Sequence, residues 1–275
     1  MCLAALALRW RSRVTSNVRR RRQHLCAKGI ESMPQPLEAL DAFLARVAEM
    51  DRKYEPMLFR GQSARRGNLL PGVARRDPSH DTLELEKALL REFQLLGAQH
   101  LSHAARDHSL ELLVAAQHYG LETRLLDWTS DPLVALFFAC CDGATRDGYV
   151  YVFETNGFFE PKAYDMDPFS HPMPVAFRPP RSNARIIAQQ GWFTVHTHYE
   201  QEGRFPPLEE FPDVNPFIHE WVVPAHRRSS LLLELESRGV SYHSLFPDLQ
   251  GVSWHLNAKL QRQVPRNPGH GRSDA

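Results

Sequence analysis

The chain has 275 residues, 43% hydrophobic and 24% charged, which is the balance of a soluble globular protein with one large domain or two small ones. No apolar run reaches the roughly 18 residues that a membrane span needs. The formal net charge is +1, and the mildly acidic charge of the chain after residue 32 argues against a surface that coats nucleic acid in general.

The charge is unevenly distributed along the chain. Residues 1–32 hold eight of the 33 basic residues and one of the 32 acidic residues, so the rest carries a formal charge of −6. An Arg-rich, acid-poor segment is typical of a targeting peptide, and the alternative is that translation begins at Met33, just before the first periodic pattern. We predict a disordered basic extension over 1–32, a single α+β domain over 33–262 and a disordered polar tail over 263–275.

The cysteines give no sign of a metal site or a disulfide framework. No pair of the four has Cys-x-x-Cys spacing. Cys140 and Cys141 are adjacent in an apolar helical pattern, where we expect them to be small buried hydrophobes. This pattern fits a reducing compartment, so we expect a cytoplasmic protein with no metal and no membrane partner.

A helix, a strand and a second helix are predicted first along the chain. Apolar residues at helical spacing over 37–47 predict an amphipathic helix. Residues 56–59 form a short apolar strand that ends in Arg60-Gly61-Gln62. Asp81 and Glu84 have the spacing of a capping box at the start of a long helix.

The central stretch, residues 113–139, predicts a helix, a tight polar loop and a second helix. Gly120 is suited to ending the first helix, and Asp131-Pro132 to beginning the second as N-cap and first helical residue. The second helix is apolar nearly all round, so we expect it to be buried. The polar and aromatic residues between the two apolar helices are Gln117, His118, Tyr119, Thr123, Arg124, Asp127, Trp128 and Thr129.

These polar groups allow a structural and a functional interpretation. In the structural one, Arg124 pairs with Asp127 and pins the loop. In the functional one, the loop is a binding site, because polar loops and helix starts on a rigid scaffold commonly hold ligands. The same choice holds for Trp128, which either fills the core or stacks on a base, and for His118, which either caps its helix or acts as acid, base or donor.

Arg60 and Gly61 allow a similar choice. An Arg at a strand end presents a fork of donors that fits phosphate, and the following Gly permits close approach of a ligand or of backbone. The alternative is that Arg60 pairs with Asp127 or a nearby Glu and holds the sheet together.

The remaining elements are predicted as follows. Residues 148–153 form a strand, and a long connection follows over 155–180. Two short strands over 185–188 and 192–195 flank Gln189-Gln190-Gly191. A strand over 218–223, a helix over about 228–238 and a last short helix after Pro247 complete the domain. His196 and His198 share one face of a strand, but no third metal ligand is evident.

The two-part motif resembles the FRG domain, which is named for its Phe/Tyr-Arg-Gly sequence. The residues that carry the resemblance are Phe59-Arg60-Gly61-Gln62, Gln117-His118-Tyr119-Gly120 and Thr123-Arg124-Leu125-Leu126-Asp127-Trp128-Thr129. The family is largely bacterial and phage-borne, so the resemblance implies the fold more closely than the activity. From the chemistry of the residues themselves, the set that we expect to bind a ligand is Gly61, Gln62, Gln117, His118, Tyr119, Thr123, Arg124, Asp127, Trp128 and Gln189.

A second resemblance is to ADP-ribosyltransferases of the Arg-Ser-Glu type. These carry Arg-Gly on a first strand, then a Ser/Thr-rich strand before an Ala-containing helix, and last a catalytic Glu. Arg60-Gly61, Trp128-Thr129-Ser130 and Gln189-Gln190-Gly191 follow that order. The resemblance implies Arg60, Thr129 and Gln190 as catalytic residues and NAD as the cofactor. A Gln in the third motif cannot supply the charge that stabilises an oxocarbenium-like centre, and Glu154 is out of order as a substitute.

Together these patterns predict an α+β fold, in which helices pack around a small, mostly antiparallel sheet and the motif lines a cleft. Two function classes stay open. One is a nucleotide- or NAD-using effector that resembles ADP-ribosyltransferases, in a bacterial toxin or phage-defence setting. The other is a non-catalytic module that binds a nucleotide, a nucleic acid or a protein. For the enzyme we expect one polar cleft that holds Arg60, Gln117, Arg124, Thr129 and Gln189 together. For the non-catalytic module we expect the same residues over a shallow surface or in internal pairs.

Overall fold

The computed structural model describes residues 35–50, 56–64, 68–142, 145–155, 157–171, 173–181 and 183–264. The predicted extension over 1–32 lies outside these residues, as does the predicted tail from residue 265 onward.

The described residues form one sheet with helices around it. The strands are β1 Gln35–Pro36, β2 Met57–Gln62, β3 Leu125–Thr129, β4 Gly148–Glu154, β5 Val175–Phe177, β6 Gly191–Val195 and β7 Ile218–Val223. The helices are α1 Leu40–Glu49, α2 Leu83–Leu96, α3 His103–Asp107, α4 Ser109–His118, α5 Pro132–Cys140, α6 Ala184–Ala188, α7 Ala225–Ser237, α8 Tyr242–Leu245 and α9 Leu249–Gln263. Within the described ranges, no helix has the length and apolar character to cross a membrane.

The strand order in the sheet is β1-β7-β4-β2-β3-β6-β5. Every neighbouring pair is antiparallel except β1 and β7, which are parallel. The predicted α+β class with a mostly antiparallel sheet is therefore confirmed. The central strands β2 and β3 carry the two halves of the FRG motif, so Phe59 and Thr129, 70 positions apart, become neighbours.

Helix α5 packs on β2 and β4 at backbone distance. A Cβ added to Gly61 would lie 1.8 Å from the carbonyl oxygen of Ala135, and one added to Gly148 would lie 2.2 Å from that of Ala139. Only glycine allows a strand to approach a helix this closely. The start of α5 is as predicted, with Asp131 as N-cap accepting from the Leu133 N–H at 2.9 Å and with Pro132 following.

Hydrophobic cores lie on both faces of the sheet. One core joins α5 to the strand residues Phe59, Val150 and Val152 and to helices α1 and α7. A second core contains Trp128 and Phe153, and a third packs α4 against β3 and β6. The motif strands are thus buried between packed layers, which limits where a ligand could reach them.

The structure corrects several predicted elements. Residues 125–129, predicted as a polar loop, are a strand in which every residue except Asp127 is buried. Residues 185–188, predicted as a strand, belong to helix α6, which Asn183 caps by accepting from the Arg185 N–H at 2.8 Å.

Two helix predictions were also wrong. The long helix begins at Leu83 with Thr82 as N-cap, and the Asp81 carboxylate accepts from the Leu83 N–H at 3.0 Å, so Asp81 is not the N-cap of the predicted capping box. The helix after Pro247 is α9, which has 15 residues and is not short.

Candidate functional site

Strands β2 and β3 separate next to the FRG motif. Their register contains a single pair, Phe59 with Thr129, whereas β2 continues along β4 as far as Gln62. Arg60 spans the resulting split: its Nη1 donates to the backbone carbonyl of Asp127 at 2.8 Å and lies 3.8 Å from the Asp127 carboxylate. The pairing of Arg60 with Asp127, one of the two alternatives from the sequence, is therefore formed.

The Asp127 carboxylate is held from a third element as well. Gln117, at the end of α4, donates from Nε2 to Asp127 Oδ2 at 2.9 Å. The Gln117 amide is itself fixed, because Thr123 donates its hydroxyl to Oε1 at 2.8 Å and accepts from the Leu125 N–H at 3.1 Å. The Asp127 side chain is still 54% exposed. The split thus presents an oriented carboxylate to solvent beside a guanidinium.

His118 and Tyr119 lie near this carboxylate at the end of α4. His118 Nε2 is 3.0 Å from Asn183 Nδ2, and since the amide nitrogen donates, the imidazole accepts there. Burial and the nearby Arg185 guanidinium lower the pKa of His118, against weaker opposing effects of Asp248 and Asp127. Tyr119 is 69% exposed and contacts the His118 ring edge-on.

Arg124 lies in the interior and pairs with Glu86, not with Asp127. Its Nε and Nη2 donate to Glu86 Oε2 at 2.8 and 2.7 Å, and its backbone N–H donates to Oε1 at 2.8 Å. Both side chains are 1% exposed, and the guanidinium carbon lies 4.4 Å from the centre of the Phe169 ring. Arg124 therefore anchors α2 to the start of β3.

Trp128 fills the core and takes part in a buried hydrogen-bond chain. Its indole Nε1 donates to Thr194 Oγ1 at 3.0 Å, and that oxygen is 2.9 Å from His196 Nε2. All three side chains are at most 4% exposed. Of the two sequence interpretations of Trp128, the structure shows the core residue.

The other residues of the predicted catalytic set lie in a separate group of hydrogen bonds at the start of α5. Thr129 donates its hydroxyl to the Gln189 carbonyl at 2.7 Å, and Gln190 Nε2 donates to Asp131 Oδ2 at 3.0 Å. Gln190 has a φ of +47°, and Gln189 Nε2 donates to the Leu245 carbonyl at 3.1 Å. Arg60 bonds to Asp127, whereas Thr129 and Gln190 bond to residues at the start of β6 and of α5.

Gly61 and Gln62 flank Arg60 on β2. The α5 backbone occupies the space beside Gly61, so the close approach expected there is made by backbone. Gln62 is 7% exposed, and its Oε1 has no hydrogen-bond partner among the described residues.

A cavity of about 420 Å³ lies elsewhere, and none of the motif residues predicted to line a cleft lines it. The residues that line this cavity are Cys141, Asp142, Tyr242, Phe246, Trp254, Asn257, Ala258 and Gln261. Burial raises the pKa of the neighbouring Cys140 thiol to about 12, which makes it a poor nucleophile. In the described ranges, no group of three or more His, Cys, Asp or Glu side chains could hold a metal ion.

Several residues at the site were missed from the sequence. Glu86 was not identified as the partner of Arg124, nor Thr194 as that of Trp128, and His196 was considered only as a metal ligand. Each belongs to an element far from the motif in the chain. The alternation of Arg124, Leu126 and Trp128 on one face of a strand was the available sign that these side chains point inward.

Residues 55–148 match the family model of the FRG domain. The match includes β2, α4, β3 and α5, and with them Arg60, Gln117, Arg124, Asp127 and Trp128; it ends before β6. The chain therefore carries an FRG domain in this segment. Neither a curated protein nor a solved structure matches the chain.

Proposed function

We propose that the FRG domain binds a nucleotide-like ligand, with NAD as the candidate, at the split between β2 and β3. The observation that supports this is the convergence of Arg60 and Gln117, from two different elements, on the half-exposed carboxylate of Asp127. Hydrogen bonds orient this carboxylate but leave part of it open to solvent. It can therefore contact a ligand as well as stabilise the motif.

The chemistry of the split suits a nucleotide. A carboxylate accepts hydrogen bonds from a ribose diol, as acidic residues do in dinucleotide sites. The Arg60 guanidinium complements phosphate, and the exposed Tyr119 ring offers a surface on which a base can stack. A binding module needs no further group than these.

A second candidate is NAD-dependent transfer of ADP-ribose. The observation that favours it is the position of Asp127, an exposed carboxylate beside Arg60, which supplies the negative charge that Gln190 lacks. In this reaction the bond from ribose C1′ to nicotinamide breaks, nicotinamide leaves with the electron pair, and an acceptor nucleophile bonds to C1′ and gives up its proton. Asp127 would stabilise the oxocarbenium-like centre between the two steps.

Calorimetric titration of the full chain with NAD tests the binding proposal. We expect Asp127→Asn to weaken NAD binding by at least tenfold. The matched control is Glu92→Gln, which removes a carboxylate from the exposed face of α2 and should leave the affinity unchanged. Equal affinities of Asp127→Asn and the parent chain, or no NAD binding by the parent chain, would overturn the proposal. Release of nicotinamide from bound NAD would favour the transferase over the module.

A further inference from the structure

Two buried side chains, those of the motif residue Arg124 and of His196 at the end of β6, each carry a polar atom with no hydrogen-bond partner among the described residues. Leu125 of β3 pairs with Val195 of β6, and the N–H of His196 donates to the carbonyl of Arg124 at 3.0 Å. Arg124 and His196 are therefore cross-strand neighbours, with side chains on the same face of the sheet. Arg124 Nη1 and His196 Nδ1 are the unpartnered atoms, and the two side chains are 1% and 2% exposed.

Arg124 Nη1 is a hydrogen-bond donor, and His196 Nδ1 is a donor in the tautomer in which Nε2 accepts from Thr194. The indole N–H of Trp128 can only donate, so Thr194 Oγ1 accepts from it and can donate its hydroxyl hydrogen to His196 Nε2. In this assignment each of the two hydrogen bonds among Trp128, Thr194 and His196 has one donor and one acceptor. The proton of neutral His196 is then on Nδ1. Arg124 Nη1 carries two N–H groups and accepts nothing. Buried donors without an acceptor are costly, so the pair is suited to an acceptor from outside the chain.

The electrostatic surroundings favour a negatively charged acceptor. Burial, together with the smaller effects of the Arg60 and Arg124 guanidinium groups, lowers the pKa of His196 to about 3, so the imidazole is neutral. The charges that act on His196 are thus positive, and one of them, the Arg124 guanidinium, also pairs with the buried Glu86 carboxylate. Arg60 links this interior to the open split, because its side chain is 13% exposed and also contacts Asp127.

We propose that Arg124 Nη1 and His196 Nδ1 form a buried subsite for an oxyanion, reached through the split and filled by a phosphate group. The subsite deepens the proposed function and rests on it where the phosphate belongs to a bound nucleotide. Inorganic phosphate presents the same oxygens to the same donors. The part of the pair that sequence reasoning missed is His196, which lies outside the matched domain segment.

The test follows the imidazole directly. The full chain, labelled with ¹⁵N at histidine, is titrated with inorganic phosphate against sodium chloride of equal ionic strength, and His196 is identified by the resonance that His196→Phe removes. We expect the Nδ1 resonance of His196 to shift with phosphate in a saturable way and not with chloride. An unchanged resonance would overturn the proposal and would fit an ordered water. The titration uses the parent chain, so it is valid even if His196→Phe folds poorly. In that case the other histidines are assigned individually, which identifies the resonance of His196.

A second measurement separates the sources of phosphate and the two proposals. We expect AMP to bind at least tenfold more tightly than adenosine to the parent chain and to His103→Phe, which alters an exposed histidine. In His196→Phe this difference should disappear. An unchanged difference in His196→Phe would overturn the subsite while leaving nucleotide binding at the split intact. If the parent chain does not bind NAD but its His196 resonance shifts with phosphate, the proposed function is wrong and the subsite binds inorganic phosphate only.

Discussion

Arg60 and Asp127 join two central strands that pair at only one position. The Arg60 side chain donates to the Asp127 carbonyl at 2.8 Å. If β2 and β3 paired along their whole length, a backbone N–H would make a hydrogen bond of this kind. The motif arginine is therefore part of the sheet as well as of the exposed split. A substitution at this position is expected to change both stability and binding, and the two effects must be measured separately.

Replacing Arg60 with Met should destabilise the fold. The change removes a charge-assisted hydrogen bond to a backbone carbonyl, a kind of interaction that contributes about 1.5–3 kcal/mol. We expect a loss of about 2 kcal/mol in the free energy of unfolding in urea. Arg91→Met, on the exposed face of α2, should change it by less than about 0.5 kcal/mol. Equal effects of the two substitutions would show that the bridge to Asp127 contributes nothing.

The elements predicted correctly have their physical causes within one short segment. The alternation of Val with aromatic residues in β4 and the Asp131-Pro132 start of α5 are local features, and local chemistry was enough to place them. The strand identity of β3 was missed because it depends on β6 and β2, which lie far away in the chain. A segment with only five residues and two polar side chains has too weak a pattern of its own.

The candidate site was only partly predictable for the same reason. The sequence brought Arg60 and Asp127 together as an alternative, since both belong to one motif. The choice of Glu86 as the partner of Arg124 is made by the packing of α2 on the start of β3, across 38 positions. No pattern within either segment distinguishes Glu86 from the other acidic residues of α2.

Removing Arg124 should be among the most damaging single changes in the domain. Arg124→Met leaves the Glu86 carboxylate buried without its guanidinium partner, which typically costs about 3–5 kcal/mol. The double variant Arg124→Met, Glu86→Gln should recover part of this loss, because no uncompensated charge then stays in the interior. Urea denaturation of the two variants at pH 7 provides the comparison. A double variant as unstable as the single one would show that the cost is in packing and not in the buried charge.

Gly61 is expected to tolerate no side chain. In Gly61→Ala the new Cβ would overlap the Ala135 carbonyl, which belongs to the α5 backbone and cannot rotate away. We expect a loss of at least about 3 kcal/mol, at the upper end of overpacking effects. The control is Gly120→Ala, where φ is +93° and no atom lies within 4 Å, so only backbone strain of about 1–2 kcal/mol is expected. Similar losses in both variants would contradict the close contact between β2 and α5.

The stability of the protein should fall as the pH falls below neutrality, partly because of His196. Its folded-state pKa, about 3, is below the ordinary value of 6.5, so between these values the unfolded chain binds a proton that the folded chain does not. A buried neutral His of this kind lowers the free energy of unfolding by about 1.4 kcal/mol for each pH unit below 6.5, or by roughly 2 kcal/mol at pH 5. His171 acts in the same direction, whereas burial raises the pKa of Glu111 and gives a contribution of opposite sign.

The contribution of His196 can be isolated by difference. His196→Phe should lose less free energy of unfolding between pH 7 and pH 5 than the parent chain does, by about 2 kcal/mol, because the other titrating groups are common to both. His103→Phe, which alters an exposed histidine, should follow the parent chain. Urea denaturation at the two pH values, in buffers without phosphate, provides the measurement. Parallel losses in His196→Phe and the parent chain would mean that His196 takes up its proton in the folded state, and the neutral donor behind the motif would then be wrongly assigned.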